Sequence, residues 1–275
     1  MNKTGVFVQF MIKEEVIKVN NHIKYQWRIT KYNPDFRNNE GHYTKKLEWT
    51  SPAHIGKTIN GETFTLEKYL KVETAYINTI MKFLEVNHIK SLTMINMTYI
   101  DVDSNCALYN QLYDEKLDNF QLKDDQEVSI DQIPLISKMV LRGFIYCHFI
   151  TLDFFVHFGD DYYMFIGTNN YQEEPLQFAR ENNLFVEEMV SPFYINEENI
   201  ERMIMWTPIN EDTVVGEEIL TDFSIEEYRE ILHLSNIHPV IGLFPITASN
   251  QQFFQKKLRH KIDTNKYQYY LSAGD

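Results

Sequence analysis

The run His157-Phe158-Gly159-Asp160-Asp161 brings an imidazole, two carboxylates and a glycine within five residues. An imidazole close to a carboxylate can move protons at neutral pH, and with a further ligand such as His148 the same groups could hold a metal ion. Gly-Asp-Asp is equally ordinary turn composition, and a strand histidine more often pairs with its cross-strand neighbour or faces solvent. Chemistry at this turn therefore requires groups from elsewhere. The segment 36–57 offers Arg37, Glu40, His42, Glu48, His54 and Lys57 if it folds back on the sheet.

Other constellations are weaker. Asp101-Val102-Asp103 with the carboxylates that follow could chelate a hard cation through oxygen, but the glycine and terminal glutamate of a calcium loop are missing, so a solvated acidic face is the better reading. No His-Glu-x-x-His, Cys-x-x-Cys, Gly-x-Ser-x-Gly or phosphate-binding glycine loop occurs. With 10 glycines in 275 residues the chain is poor in the residue that lets backbone approach a nucleotide. No metal and no cofactor is expected.

Charge is distributed unevenly. Residues 100–199 hold 19 Asp and Glu against 5 Lys and Arg, whereas residues 1–62 hold 6 against 10, and the whole chain carries a formal −13. An acidic surface speeds encounter with a basic partner and repels nucleic acid and anionic membranes. In the basic N-terminal part, Lys24, Arg28, Lys31, Arg37, Lys45, Lys46 and Lys57 alternate with Tyr25, Trp27, Tyr32, Phe36, Tyr43 and Trp49, as bases and phosphates would require. The rest of the molecule opposes phosphate, so nucleic acid is not expected as a partner. Two cysteines, Cys106 and Cys147, suit a reducing cytoplasm, and Cys147 lies in an apolar run that marks a buried strand thiol. No secretory signal and no span of roughly 20 apolar residues is present, which implies a cytoplasmic protein away from membranes.

The elements that must position these groups follow from periodicity. Residues 5–12 and 22–32 read as a hairpin, and 33–61 as a long loop held by Phe36, Tyr43 and Trp49. Thr65 opens a helix over 66–87, in which Leu66, Tyr69, Leu70, Tyr76, Ile77, Ile80, Phe83 and Leu84 recur at spacings of three and four. A strand at 91–100 leads into the acidic stretch 100–131, read as loop with at most a short helix. Asp131-Gln132-Ile133-Pro134 can cap and start a second helix, with Pro134 in its first turn and Gly143 at its end. Residues 144–151, 154–158 and 162–167 form a meander, followed by a helix at 174–183 and a strand at 184–190. Beyond a boundary at 192, strands at 201–206, 214–220 and 240–244 surround a helix opened by the capping box Ser224-Ile225-Glu226-Glu227 and another at 249–260, before the closing run 263–271. The fold class is α+β: an antiparallel sheet with helices packed on one face over 1–192, plus a small C-terminal α/β module over 193–275.

Two stretches carry a resemblance. Lys31-Tyr32-Asn33-Pro34 through Gly41-His42-Tyr43-Thr44, Glu48-Trp49-Thr50-Ser51, Ile55-Gly56, the run 69–76 and the run 155–164 resemble a recurrent bacterial domain of unknown function. Phe244-Pro245-Ile246-Thr247 and Lys266-Tyr267-Gln268-Tyr269-Tyr270-Leu271 are similar to small bacterial domains found among toxin-neighbouring genes. Neither supplies a catalytic motif. The resemblance implies an immunity-type inhibitor, a class-level analogy.

Two functions are consistent with these features. In the favoured one the protein neutralises a basic partner, such as a toxin, through Asp124, Asp125, Glu127, Asp160 and Asp161. In the other it is a hydrolase or nucleotide-modifying enzyme built on His157 with Asp160 or Asp161, which requires these side chains and groups of the 36–57 loop to converge on one concave pocket.

Overall fold

The computed structural model describes residues 23–38, 44, 48–102, 107–211 and 213–274. The first half of the expected N-terminal hairpin, and Glu40, His42, Tyr43, Lys45, Lys46, Asp103 and Cys106, lie outside them. In chain order the elements are β1 (Tyr25–Thr30), a small hairpin β2 (Thr58–Ile59) and β3 (Glu62–Thr63), α1 (Leu66–Val86), β4 (Ser91–Tyr99), α2 (Ala107–Leu112), β5 (Gln126–Ser129), α3 (Ile133–Leu141), β6 (Ile145–Ile150), β7 (Phe154–Phe158), β8 (Met164–Thr168), α4 (Glu173–Glu181) and β9 (Phe185–Glu188). A second group follows: β10 (Arg202–Pro208), β11 (Gly216–Leu220), α5 (Ile225–Leu232), β12 (Gly242–Ile246), α6 (Gln251–Gln255) and β13 (Tyr267–Ala273).

The large sheet has seven strands in the order β5-β4-β6-β7-β8-β1-β9, every pair antiparallel. The meander β6-β7-β8 forms its centre. Strand β1 pairs with β8 and β9, and the residues expected to form a hairpin with it lie outside the described residues. Side chains alternate across a strand, and both faces here are covered, so β7 and β8 are buried at every position. One face carries Cys147, Phe149, Val156, Phe158, Met164 and Ile166 toward the helices α1, α3 and α4. The other carries Ile95, Ile150, Phe155 and Phe165 toward Phe193, Tyr194 and Ile237.

Helix α1 starts where Thr65 accepts a hydrogen bond from the Lys68 N–H and buries Tyr69, Tyr76, Ile80, Phe83 and Leu84 at helical spacing. It is tied to the end of α3 by a buried ion pair: Arg142 Nε and Nη2 donate to the two oxygens of Glu73 at 2.6 and 2.8 Å, and Arg142 Nη1 donates to the Leu112 carbonyl. Such a bidentate pair fixes geometry as well as charge. At the start of α3, Gln132 occupies the capping position, and its side chain turns back to accept from the Ser129 N–H.

The acidic stretch is more ordered than its composition suggests. It contains α2, a 3-10 turn at Glu115–Asn119 and β5, the terminal strand of the large sheet. Strand β5 has a single buried side chain, Val128, which is why no apolar pattern announces it.

The C-terminal sheet is four-stranded and antiparallel, ordered β11-β10-β13-β12, with its own core of Ile204, Phe244, Phe254, Tyr269 and Leu271. The Ser224 capping box is present with both of its hydrogen bonds. Strand β12 begins two residues later than the periodicity indicates, and the helix expected over 249–260 is regular only over α6.

Candidate functional site

His157 lies on β7, on the face of the sheet opposite the helices, and is 3% exposed. Its Nδ1 is 2.9 Å from Ser191 Oγ, and its ring stacks on Phe155 at 4.0 Å. Phe155 in turn lies across Gly167, where any Cβ would sit 2.2 Å from the ring. The neighbouring ring of His148 is 4.8 Å away. The Phe158 N–H points at His148 Nδ1 (3.2 Å), which leaves that ring's proton on Nε2, 3.0 Å from Tyr146 Oη. Burial pushes the His148 pKa down to about 4 and that of His157 well below the usual value, the proximity of His148 adding to the latter. Both rings are therefore neutral at physiological pH.

The two carboxylates of the turn lie apart from this pair. Asp160 and Asp161 are exposed, and neither hydrogen-bonds His157 among the described residues. Burial, with the charge of Asp160, raises Tyr146 to about 12. Asp161 acts electrostatically on Lys31 and Tyr32. The acid–base constellation suggested by the spacing is thus divided between a sealed imidazole and exposed carboxylates.

The acidic residues 124–127 have local partners. Asp125 accepts from both the backbone N–H and the hydroxyl of Ser235, the latter at 2.6 Å. Asp124 Oδ1 accepts from the Met97 N–H at 3.2 Å, and Oδ2 lies 3.3 Å from Nε2 of the fully buried His238, an ion-pair distance off the line of a hydrogen bond. Burial alone would raise the Asp124 pKa, but the His238 ring and the N–H groups of Met97 and Asn96 outweigh it and hold the carboxyl below its ordinary range. Backbone at this contact is unusual: Asn96, Asp125, His233 and Val240 all have positive φ, and the Asn96 amide oxygen sits 2.7 Å from where a Cβ on Gly242 would be. A β-branched residue at φ 44 is rare. Asp124 and Asp125 therefore join the large sheet to the C-terminal module. Glu127 stays exposed and accepts from Ser91 Oγ.

A third cluster was visible in the sequence only as alternating cations and aromatics. Where β1 ends, the hydroxyl of buried Tyr76 accepts from the Lys31 N–H at 2.7 Å and donates to the Tyr162 carbonyl at 2.6 Å. Helix α1 thereby pins the end of β1 to the turn at 160–162, in which Asp161 and Tyr162 have φ of 52 and 65. Consecutive left-handed residues without glycine store strain and persist only where the surroundings over-determine them. The Lys31 side chain is 5% exposed. Its ammonium sits 3.8 Å from the Tyr32 ring centroid and 4.1 Å from that of Trp49. Glu48 Oε2, at 3.7 Å, is too far for a hydrogen bond, and Nζ has no hydrogen-bond partner among the described residues. Desolvation brings the Lys31 pKa down to about 8 against the pull of Glu48 and Asp161. Beside it, Arg28 and Arg37 converge on Glu187, with contacts of 3.0, 2.6 and 2.8 Å. Burial would raise the Glu187 pKa, but the two guanidinium groups lower it below the usual range.

An open groove of about 980 Å³ lies elsewhere, on the helix side, lined by Met81, Ile89, Ile130 and Phe178, and includes neither His157 nor Lys31. No group of three or more His, Cys, Asp or Glu among the described residues could hold a metal ion. None of the described helices is long and apolar enough to cross a membrane.

Residues 201–272, in the C-terminal module, are similar to a domain of unknown function (DUF7683). No curated protein and no solved structure matches the chain.

Proposed function

We propose that the chain is an acidic, cytoplasmic binding protein that neutralises a basic partner protein by occupying it, in the manner of an immunity-type inhibitor. The observation that supports this is the form of the acidic segment: it is ordered into the 3-10 turn at Glu115–Asn119 and the terminal strand β5 of a seven-stranded sheet, and leaves Glu115, Asp118, Glu127 and Asp131 exposed. An ordered acidic edge can steer a basic protein and set its orientation. Because Asp124 and Asp125 are engaged with the C-terminal module, the steering role falls to their exposed neighbours. Reversing Glu115, Asp118 and Asp131 to lysine should slow association with a partner captured at low salt by at least about tenfold while leaving the fold intact. An unchanged on-rate refutes the proposal.

A second reading, an enzyme acting on a small molecule, is favoured by Lys31 rather than by His157, because a desolvated amine of lowered pKa is a usual way to activate a lysine. Its test is whether Lys31→Met removes a turnover that His157→Asn leaves in place.

A further inference from the structure

We propose that Lys31 anchors a small oxyanion, a carboxylate or phosphate group, which enters by displacing the side chain of Glu48. Lysine carries three N–H donors, yet Lys31 Nζ is buried without a hydrogen-bond partner among the described residues. Burial of polar N–H donors that find no acceptor is costly, and each such group in a folded protein calls for a reason. The faces of Tyr32 and Trp49 offset part of that cost through cation–π attraction, but they accept no conventional hydrogen bond. An oxyanion would supply the missing acceptors.

The surroundings are built to hold the ammonium in one place. Tyr76 fixes the Lys31 backbone from below. Trp49 is wedged by Phe64, stacked at 4.6 Å, and by the edge of Tyr162 at 4.9 Å. The strained turn at 161–162 is held by the same Tyr76 hydroxyl. Strain maintained beside a buried ammonium whose donors lack acceptors is the pattern of a preorganised binding site.

Glu48 marks the entrance. Its side chain is 41% exposed while the Lys31 side chain is 5% exposed, so it is the member of the pair that reaches solvent. At 3.7 Å it neutralises the charge without bonding to it. Arg28, Lys31 and Arg37 face Glu48, Asp161 and Glu187, three charges of each sign, with both arginines committed to Glu187. Moving Glu48 outward leaves one positive charge for an incoming anion. Anion binding at Lys31 does not depend on the inhibitor reading.

The experiment titrates inorganic phosphate and, separately, acetate into the full chain at constant ionic strength, read by calorimetry and by thermal shift, for the wild type, Glu48→Gln and Glu48→Gln/Lys31→Met. Saturable binding is expected in Glu48→Gln at least about tenfold tighter than in the wild type, and lost in the double variant. Binding should also weaken with rising pH as Lys31 gives up its proton, through about pH 8 in the wild type and at lower pH in Glu48→Gln, which lacks the carboxylate that raises the Lys31 pKa, a dependence that a purely structural lysine would not produce. Preference for one anion over the other tells phosphate-bearing from carboxylate-bearing ligands. If Glu48→Gln binds neither anion saturably, or binds with an affinity that does not fall as pH rises to about 8, the proposal is overturned, whether or not the double variant folds.

Discussion

Mild acid should destabilise this protein earlier than its carboxylates alone would dictate. His148 and His157 are buried as neutral rings, so their folded pKa values lie below the unfolded value of 6.5. In that case the unfolded chain binds more protons over the interval between the two values, and stability is fully present above about pH 6.5 and drains away as pH falls toward the folded pKa. For His148 the interval runs from 6.5 to about 4. At about 1.36 kcal/mol per unit, roughly 2–3 kcal/mol is lost by about pH 4.5. His157, depressed for the same reason, adds to that loss with the same sign. The His148 share alone is a large part of the roughly 5–15 kcal/mol that holds a typical domain together. The depressed carboxyls Asp114, Asp124 and Glu187 shed their contributions only below the ordinary carboxylate range, which leaves the window from about pH 6.5 to 4.5 to the histidines. Urea unfolding at about pH 7.5, 6.5, 5.5 and 4.5 measures the slope directly, with His157→Asn expected to make it shallower and to leave the His148 share in place. A free energy of unfolding that changes by less than about 1 kcal/mol across the window would refute the reasoning.

Two further expectations concern stability and the joint between the modules. Glu73→Ala leaves the Arg142 guanidinium buried without its carboxylate and should cost about 3–5 kcal/mol, seen as a lower urea midpoint with an unchanged denaturant slope. Asp125→Asn keeps a residue that tolerates positive φ but removes the charge bonded to Ser235; the contact should weaken by about 1–2 kcal/mol. Faster proteolysis within residues 189–201 would report that loosening, with Asp131→Asn as the unaffected control.

Where one element's own residues determine its structure, the sequence was sufficient. The spacing of Tyr69, Tyr76, Ile80 and Phe83 specifies α1, and the aromatic runs around Leu152-Asp153 and Gly159 specify the meander. Strand β5 escaped because Gln126, Glu127 and Ser129 flank one buried valine, and an edge strand needs an apolar side chain only on the face it packs. The site was less legible for a related reason. His157 has the right neighbours in sequence for acid–base work, but its accessibility is decided by Ser191 and Phe193, more than 30 residues on. Asp124 and Asp125 look like free surface charge until Ser235 and His238, 110 or more residues later, come to meet them. Lys31 appears as one cation among several until Trp49 and Tyr76 enclose it. Periodicity describes what a segment wants to bury; it carries no record of what will cover it.

The second face of the large sheet has a consequence for how the chain is made. Ile95, Ile150, Phe155 and Phe165 are covered in part by Ile237, which belongs to the C-terminal half. During synthesis the meander is complete at about residue 168, and some 70 more residues must be added before Ile237 exists. At the usual rate of about 5–20 residues per second, this apolar face waits roughly 4–14 s for its last cover. Throughout that interval the nascent sheet is open to association with other chains, so the speed at which residues 169–237 are translated bears on yield even though it leaves the finished structure unchanged.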